Sequence, residues 1–177
     1  MKMLSMTASL CGSINSRYVF AILLSFASYA EAHGTSVGKA YQNLVALAKT
    51  NPQDCAQVAI RLARNFTTGD YESLVVKLKL SGLDFEDVGG EGVACLENAK
   101  DGIIYQLADL PEGGKALIRL LENESLRWDG AESLTLCDAV VRRGKPMVPL
   151  LEKIKSKNRV WARRCSDVIK SGANTAF

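Results

Sequence analysis

The chain contains a single histidine, His33, and that scarcity settles much of the chemistry at once. Any mechanism that needs two imidazoles is excluded, and Ser-His or Cys-His nucleophilic schemes would all rest on this one ring. A copper brace, in which an N-terminal histidine chelates through its amine and its ring, lacks the second histidine it needs. The remaining acid/base candidates are carboxylates. Glu86, Asp87 and Glu91 cluster around Gly89-Gly90-Glu91-Gly92, and glycoside hydrolysis asks only for two carboxyls about 5–10 Å apart. Acids are spread along the whole chain, however, so these three read first as solvated surface. The glycine segment lacks the Lys-Ser/Thr of a phosphate loop and follows no strand signal. It reads as a loop between helical hairpins.

Cysteine is the other chemically loaded type. Of five cysteines, Cys11 precedes an apolar run and has Leu10 where a lipid-attachment signal wants a small residue. The other four are Cys55, Cys95, Cys137 and Cys165. The closest two are 28 positions apart (165 less 137) and no histidine joins them, which disfavours a zinc site. No cofactor is expected.

The apolar run is Tyr18 to Ala27, with Lys2 and Arg17 before it and no acid. Ten residues at about 1.5 Å rise cannot cross a hydrocarbon core roughly 30 Å thick, so no transmembrane anchor is expected here. The run has the dimensions of a signal-peptide core, and Ala30-Glu31-Ala32 supplies the small-x-small cleavage pattern. We expect a signal peptide over residues 1–32, cleavage after Ala32, and a mature domain over 33–177 in the periplasm or secreted. An even number of cysteines in an exported chain reads as two disulfides. A nucleophilic cysteine is correspondingly disfavoured.

The elements that would position these groups are helical almost throughout. Val37, Tyr41, Leu44, Val45 and Ala48 form one stripe. Cys55, Ala59, Leu62 and Phe66 form the next, stopped at Gly69, and Asp70 is expected to cap a third helix that ends at Ser81-Gly82. Helical spacing resumes at Val93, Leu96, Ile103 and Leu107, and again at Leu117, Leu120 and Leu121. Asp129 is expected to cap a helix closed by Gly144, Pro146 to start another, and Asn158 to cap a last one closed by Gly172. Hydrophobic content of 47% and charge of 23% exclude a disordered tail or a multi-span membrane protein. The fold class is all-α, about eight helices of roughly 10–14 residues joined by short turns.

A weak internal repeat suggests how they are arranged. Lys115-Ala-Leu-Ile-Arg-Leu-Leu-Glu122 matches Lys145-Pro-Met-Val-Pro-Leu-Leu-Glu152 at an offset of 30, each followed by a turn and a helix with a central cysteine. Residues Gly144 to Gly172 resemble a HEAT-type helical repeat, with Pro149, Leu151 and Ile154 in the first helix and Ala162-Arg163-Arg164-Cys165 in the second. The resemblance implies a short right-handed stack of antiparallel helical hairpins of the HEAT/armadillo kind. An irregular helical bundle is the alternative. With one cysteine per hairpin, neighbouring hairpins would pair Cys55 with Cys95 and Cys137 with Cys165. Cys95 with Cys137 is the rival pairing.

Charge is strongly polarised. Residues 142–170 hold ten basic residues and two acids, net +8, whereas 33–141 hold ten basic residues and sixteen acids, net −6. The plain reading is a solvated basic helix face. The functional reading is a contact for something anionic, through Arg142, Arg143, Lys145, Arg159, Arg163 and Arg164. Export argues against nucleic acid. The expectation is a non-catalytic exported helical-repeat protein that binds another protein, such as an immunity protein against a cell-wall-degrading toxin. A small helical hydrolase of peptidoglycan or another polysaccharide is the alternative.

Overall fold

In the computed structural model, residues 36–80, 85–128 and 130–172 are described, and they form eight α-helices with two single-turn 3-10 segments. The expected signal segment, with Ala30, Ala32 and His33, lies outside the described residues. So do Ser81-Gly82, Asp129 and the side chains of Glu86 and Asp87.

Helix α1 spans Val37–Thr50 and buries Ala40, Leu44 and Ala48; Ser36 caps it by accepting a hydrogen bond from the Lys39 N–H. A 3-10 turn over Pro52–Asp54 leads into α2, Cys55–Leu62. The expected second helix stops short of Gly69 because the next helix takes its last turn. Helix α3 is Thr68–Leu80. Thr67 and Asp70 form a reciprocal cap: the Thr67 hydroxyl accepts from the Asp70 N–H at 3.3 Å, and the Asp70 carboxylate accepts from the Thr67 N–H at 2.9 Å. Phe66 meets Tyr71 edge-on at 5.9 Å, the hydrophobic staple that accompanies such a cap. Asp70 is thus the returning half of a capping box, and the hydrogen bonds from Thr67 hold its carboxyl below the usual range.

Helix α4, Phe85–Asp109, is two helical segments that meet within the glycine segment that reads as a loop. The break is a kink at Gly89, with φ 72° and ψ 166°. Gly92 lies beyond it, where α4 crosses the end of α1. A Cβ there would sit 2.7 Å from the carbonyl oxygen of Ala48.

Helices α5 (Gly113–Glu122) and α6 (Gly130–Arg142) follow. A 3-10 turn over Lys145–Met147 then leads into α7, Val148–Leu151. The two copies of the sequence repeat therefore fold unequally: ten helical residues in α5, four in α7. Pro146 and Pro149 remove the amide donors that a longer second copy would use. Helix α8, Arg159–Ser171, ends at Gly172 in the left-handed region, φ 65°.

Contacts between these helices run in an odd and an even series, and α1 packs on α4 as well. Helix α1 packs on α3 and α3 on α5, while α2 packs on α4, α4 on α6 and α6 on α8. Each odd helix also packs on the even helix that follows it. The buried side chains form one continuous cluster from Ala40 to Ile169.

Each contact along the even series has its own fastening. Cys55 on α2 and Cys95 on α4 have Cα atoms 5.2 Å apart, and Cys137 on α6 and Cys165 on α8 have theirs 5.3 Å apart. Both lie within the range a disulfide needs. The intervening α4–α6 contact carries charge instead. Lys100, 1% exposed, donates to Glu97 and to Glu132, and Glu132 also accepts from Lys79 on α3.

Asn158 has a different role from the expected cap. Its side chain makes no bond to α8. Its amide group donates to the carbonyls of Leu121 (3.1 Å) and Leu126 (3.0 Å), and its oxygen accepts from the Trp128 N–H (3.3 Å). Ser156 adds a hydroxyl bond to Leu121 at 2.8 Å. The turn before α8 is thereby tied to the loop between α5 and α6.

Candidate functional site on the C-terminal hairpin

The six basic residues that the sequence singles out divide into two sets. Arg142 and Arg143 close α6, and both are committed to the fold. The Arg143 guanidinium donates to the carbonyls of Ala108 (2.9 Å), Leu110 (3.2 Å) and Pro111 (3.2 Å), satisfying the end of α4. Carbonyl groups at a helix end have no partner within the helix, and a cation there meets the negative end of the dipole. Arg142 lies 4.4 Å from the Tyr105 ring centroid and pairs with Asp138 at 3.3 Å. Lys145 is exposed in the 3-10 turn that follows.

Arg159, Arg163 and Arg164 belong to α8, which places them on two faces. Arg159 and Arg163, four residues apart, line a groove of about 760 Å³ between α7 and α8. Leu151 and Ile154 supply its apolar wall, and Ser166, Asp167 and Lys170 continue its α8 side. Lys170 pairs with Glu152 across the groove. Arg164 turns the other way and lies 5.4 Å from the Trp161 ring centroid. Trp161, Asn158, Lys157 and Arg127 line an adjoining hollow of about 440 Å³. Val160, 69% exposed, borders both.

Sequence reasoning passes over two residues of this surface. Val160 adjoins the charged run but falls off the apolar stripe of α8, and that position is the signal: an apolar residue on the wrong face. Ser166 falls seven residues after Arg159, on the face that carries both arginines, and is 1% exposed.

Glu91, the one candidate acid whose side chain is described, is exposed near the start of α4. Among the described residues no group of three His, Cys, Asp or Glu gathers as metal ligands, and no helix is long and apolar enough to cross a membrane. No family model matches the chain, and neither a curated protein nor a solved structure matches it significantly.

Proposed function

We propose that this chain is an exported, non-catalytic stack of helical hairpins of the HEAT/armadillo kind that binds another protein. The alternating packing of odd and even helices supports the stack, since each hairpin then touches only its neighbours. Two cysteine pairs at bonding distance support an oxidising compartment.

The observation that carries the binding reading is the surface around Val160. An exposed apolar side chain stands there beside Trp161, Arg164, Lys157 and Arg127. Tryptophan and arginine, here Trp161, Arg164 and Arg127, are the residue types enriched at interface hot spots. The positive end of the chain selects an acidic partner and speeds encounter with it. An immunity protein that neutralises an exported cell-wall-degrading toxin is the form of this reading that we favour, because such a protein works by covering a surface and needs no reactive group.

The test is recovery of a partner from the exported fraction by a tagged full-length chain after cross-linking. We expect one acidic protein to be recovered by the natural chain and lost from a V160D/W161A variant that keeps its circular dichroism. A chain that elutes alone at micromolar concentration, with identical recovery for both forms, overturns the reading.

A further inference from the structure

Two guanidiniums and a buried hydroxyl share one stripe of α8. Arg159, Arg163 and Ser166 are spaced i, i+4 and i+7, the spacing that stacks side chains on one helix face, and all three line the α7–α8 groove. Arg159 and Arg163 are exposed, and their guanidiniums form no ion pair or hydrogen bond among the described residues. Lys170, on the same stripe, is already paired with Glu152. The Ser166 Oγ is buried and has no hydrogen-bond partner among the described residues. A buried hydroxyl without a partner is costly to keep, so a ligand that supplies one gains by it.

The charge of the groove sets the class of ligand. Arg159, Arg163 and Lys170 contribute three positive charges, and Glu152 and Asp167 two negative, leaving +1. One carboxylate neutralises that. A dianionic phosphate would exceed it and meet Glu152 and Asp167. Guanidinium forks match the two oxygens of a carboxylate, and the wall of Leu151 and Ile154 suits the methylenes that carry it.

We propose that this groove receives a single Asp or Glu side chain of the partner protein, its carboxylate bound by Arg159 and Arg163 and hydrogen-bonded by the Ser166 hydroxyl. The inference rests on the protein-binding reading and names the chemistry of the contact.

The experiment uses the full exported chain and two peptides, acetyl-Ala-Leu-Glu-Leu-Ala-amide and its glutamine counterpart, followed by backbone amide shifts. The glutamate peptide is expected to move the amides of Arg159, Arg163 and Ser166 and to bind about tenfold more tightly than the glutamine peptide. R159Q and R163Q should each weaken it, S166A should weaken it about threefold, and K49Q, at an exposed position of α1 outside the groove, should leave it unchanged. The assignment is overturned by equal binding of the two peptides, by shifts centred elsewhere, by insensitivity to S166A, or by inorganic phosphate binding the same amides more tightly. If it falls while V160D/W161A still loses the partner, the protein-binding reading stands and only the groove assignment is lost.

Discussion

The ammonium of Lys100 donates to the carboxylate of Glu132 across the contact of α4 with α6, at the one even-helix contact that no cysteine pair crosses. Lys100 is 1% exposed, and Glu97 is its second acceptor. Glu132 has Lys79 as a second donor. The two partners are therefore unequal. Removing Glu132 leaves a buried ammonium with only Glu97, whereas removing Lys100 takes the most deeply buried charge away. E132Q should cost about 3 kcal/mol, and K100M distinctly less. Urea unfolding of both variants checks the order; a K100M loss as large as that of E132Q contradicts it.

The same cluster gives stability a pH dependence. Burial works to raise the Glu132 carboxyl, but hydrogen bonds from Lys100 and Lys79 outweigh it and hold the group below its ordinary 4.5. A group depressed in the folded state contributes its stability above the unfolded value and loses it as pH falls through the folded one. Asp101 acts in the opposite sense, since burial raises its carboxyl above 3.8 and its protonation favours the folded chain. Unfolding free energy should therefore decline below about pH 4.5, and the decline should be shallower in E132Q. Parallel profiles would remove Glu132 as its source.

Both cysteine pairs should be closed in exported material. Its intact mass should then be four hydrogens below that of the reduced chain, with Cys55–Cys95 and Cys137–Cys165 peptides after digestion. The loops span 40 and 28 residues, so each bond should contribute about 3.5–4 kcal/mol in the chain-entropy model. Thermal unfolding with and without reductant measures the sum.

N158A should cost about 2–4 kcal/mol. It leaves the carbonyl of Leu126 and the N–H of Trp128 buried without their partner, and the carbonyl of Leu121 with the Ser156 hydroxyl alone. N158D should be at least as damaging, because a carboxylate would face two carbonyl oxygens. Denaturation followed by tryptophan fluorescence in a W161F background reads the change at Trp128 itself, which is 2% exposed.

G92A and G90A should move in opposite directions. At Gly92 a Cβ meets Val88 at 2.3 Å and the Ala48 carbonyl at 2.7 Å, whereas nothing lies within 4 Å at Gly90. G92A must push α4 off α1 and should cost about 1–3 kcal/mol. G90A removes backbone freedom from the unfolded chain and should stabilise by about 0.5–1 kcal/mol. Midpoints of urea unfolding compare them directly.

The helices announce themselves where one face is apolar and the cap is local. α1 follows its stripe of Val37, Leu44 and Ala48, and α8 stops at Gly172 as the sequence predicts. The cysteine pairs at bonding distance are Cys55–Cys95 and Cys137–Cys165, whereas one cysteine per hairpin alone leaves Cys95–Cys137 open as well. Readings drift where a distant partner takes a residue. Phe66 fits the stripe of α2 but is taken by the Thr67 cap and Tyr71. Asn158 sits where a cap belongs, yet its amide serves carbonyls more than thirty positions earlier. Lys100 looks like surface until Glu132 is brought to it. At the candidate site the excess of positive charge is legible, but its division is not. Nothing local says that Arg143 serves the end of α4 while Arg163, one segment later, stays uncommitted.

With both bridges closed, the molecule answers a protease differently along its length. A single nick between Cys55 and Cys95, or between Cys137 and Cys165, leaves the polypeptide in one covalent piece. A nick between Cys95 and Cys137 severs it into two separately looped fragments, held together by non-covalent contacts alone, such as those of Glu132 with its lysines, of Arg143 with the end of α4, and of the apolar side chains around them.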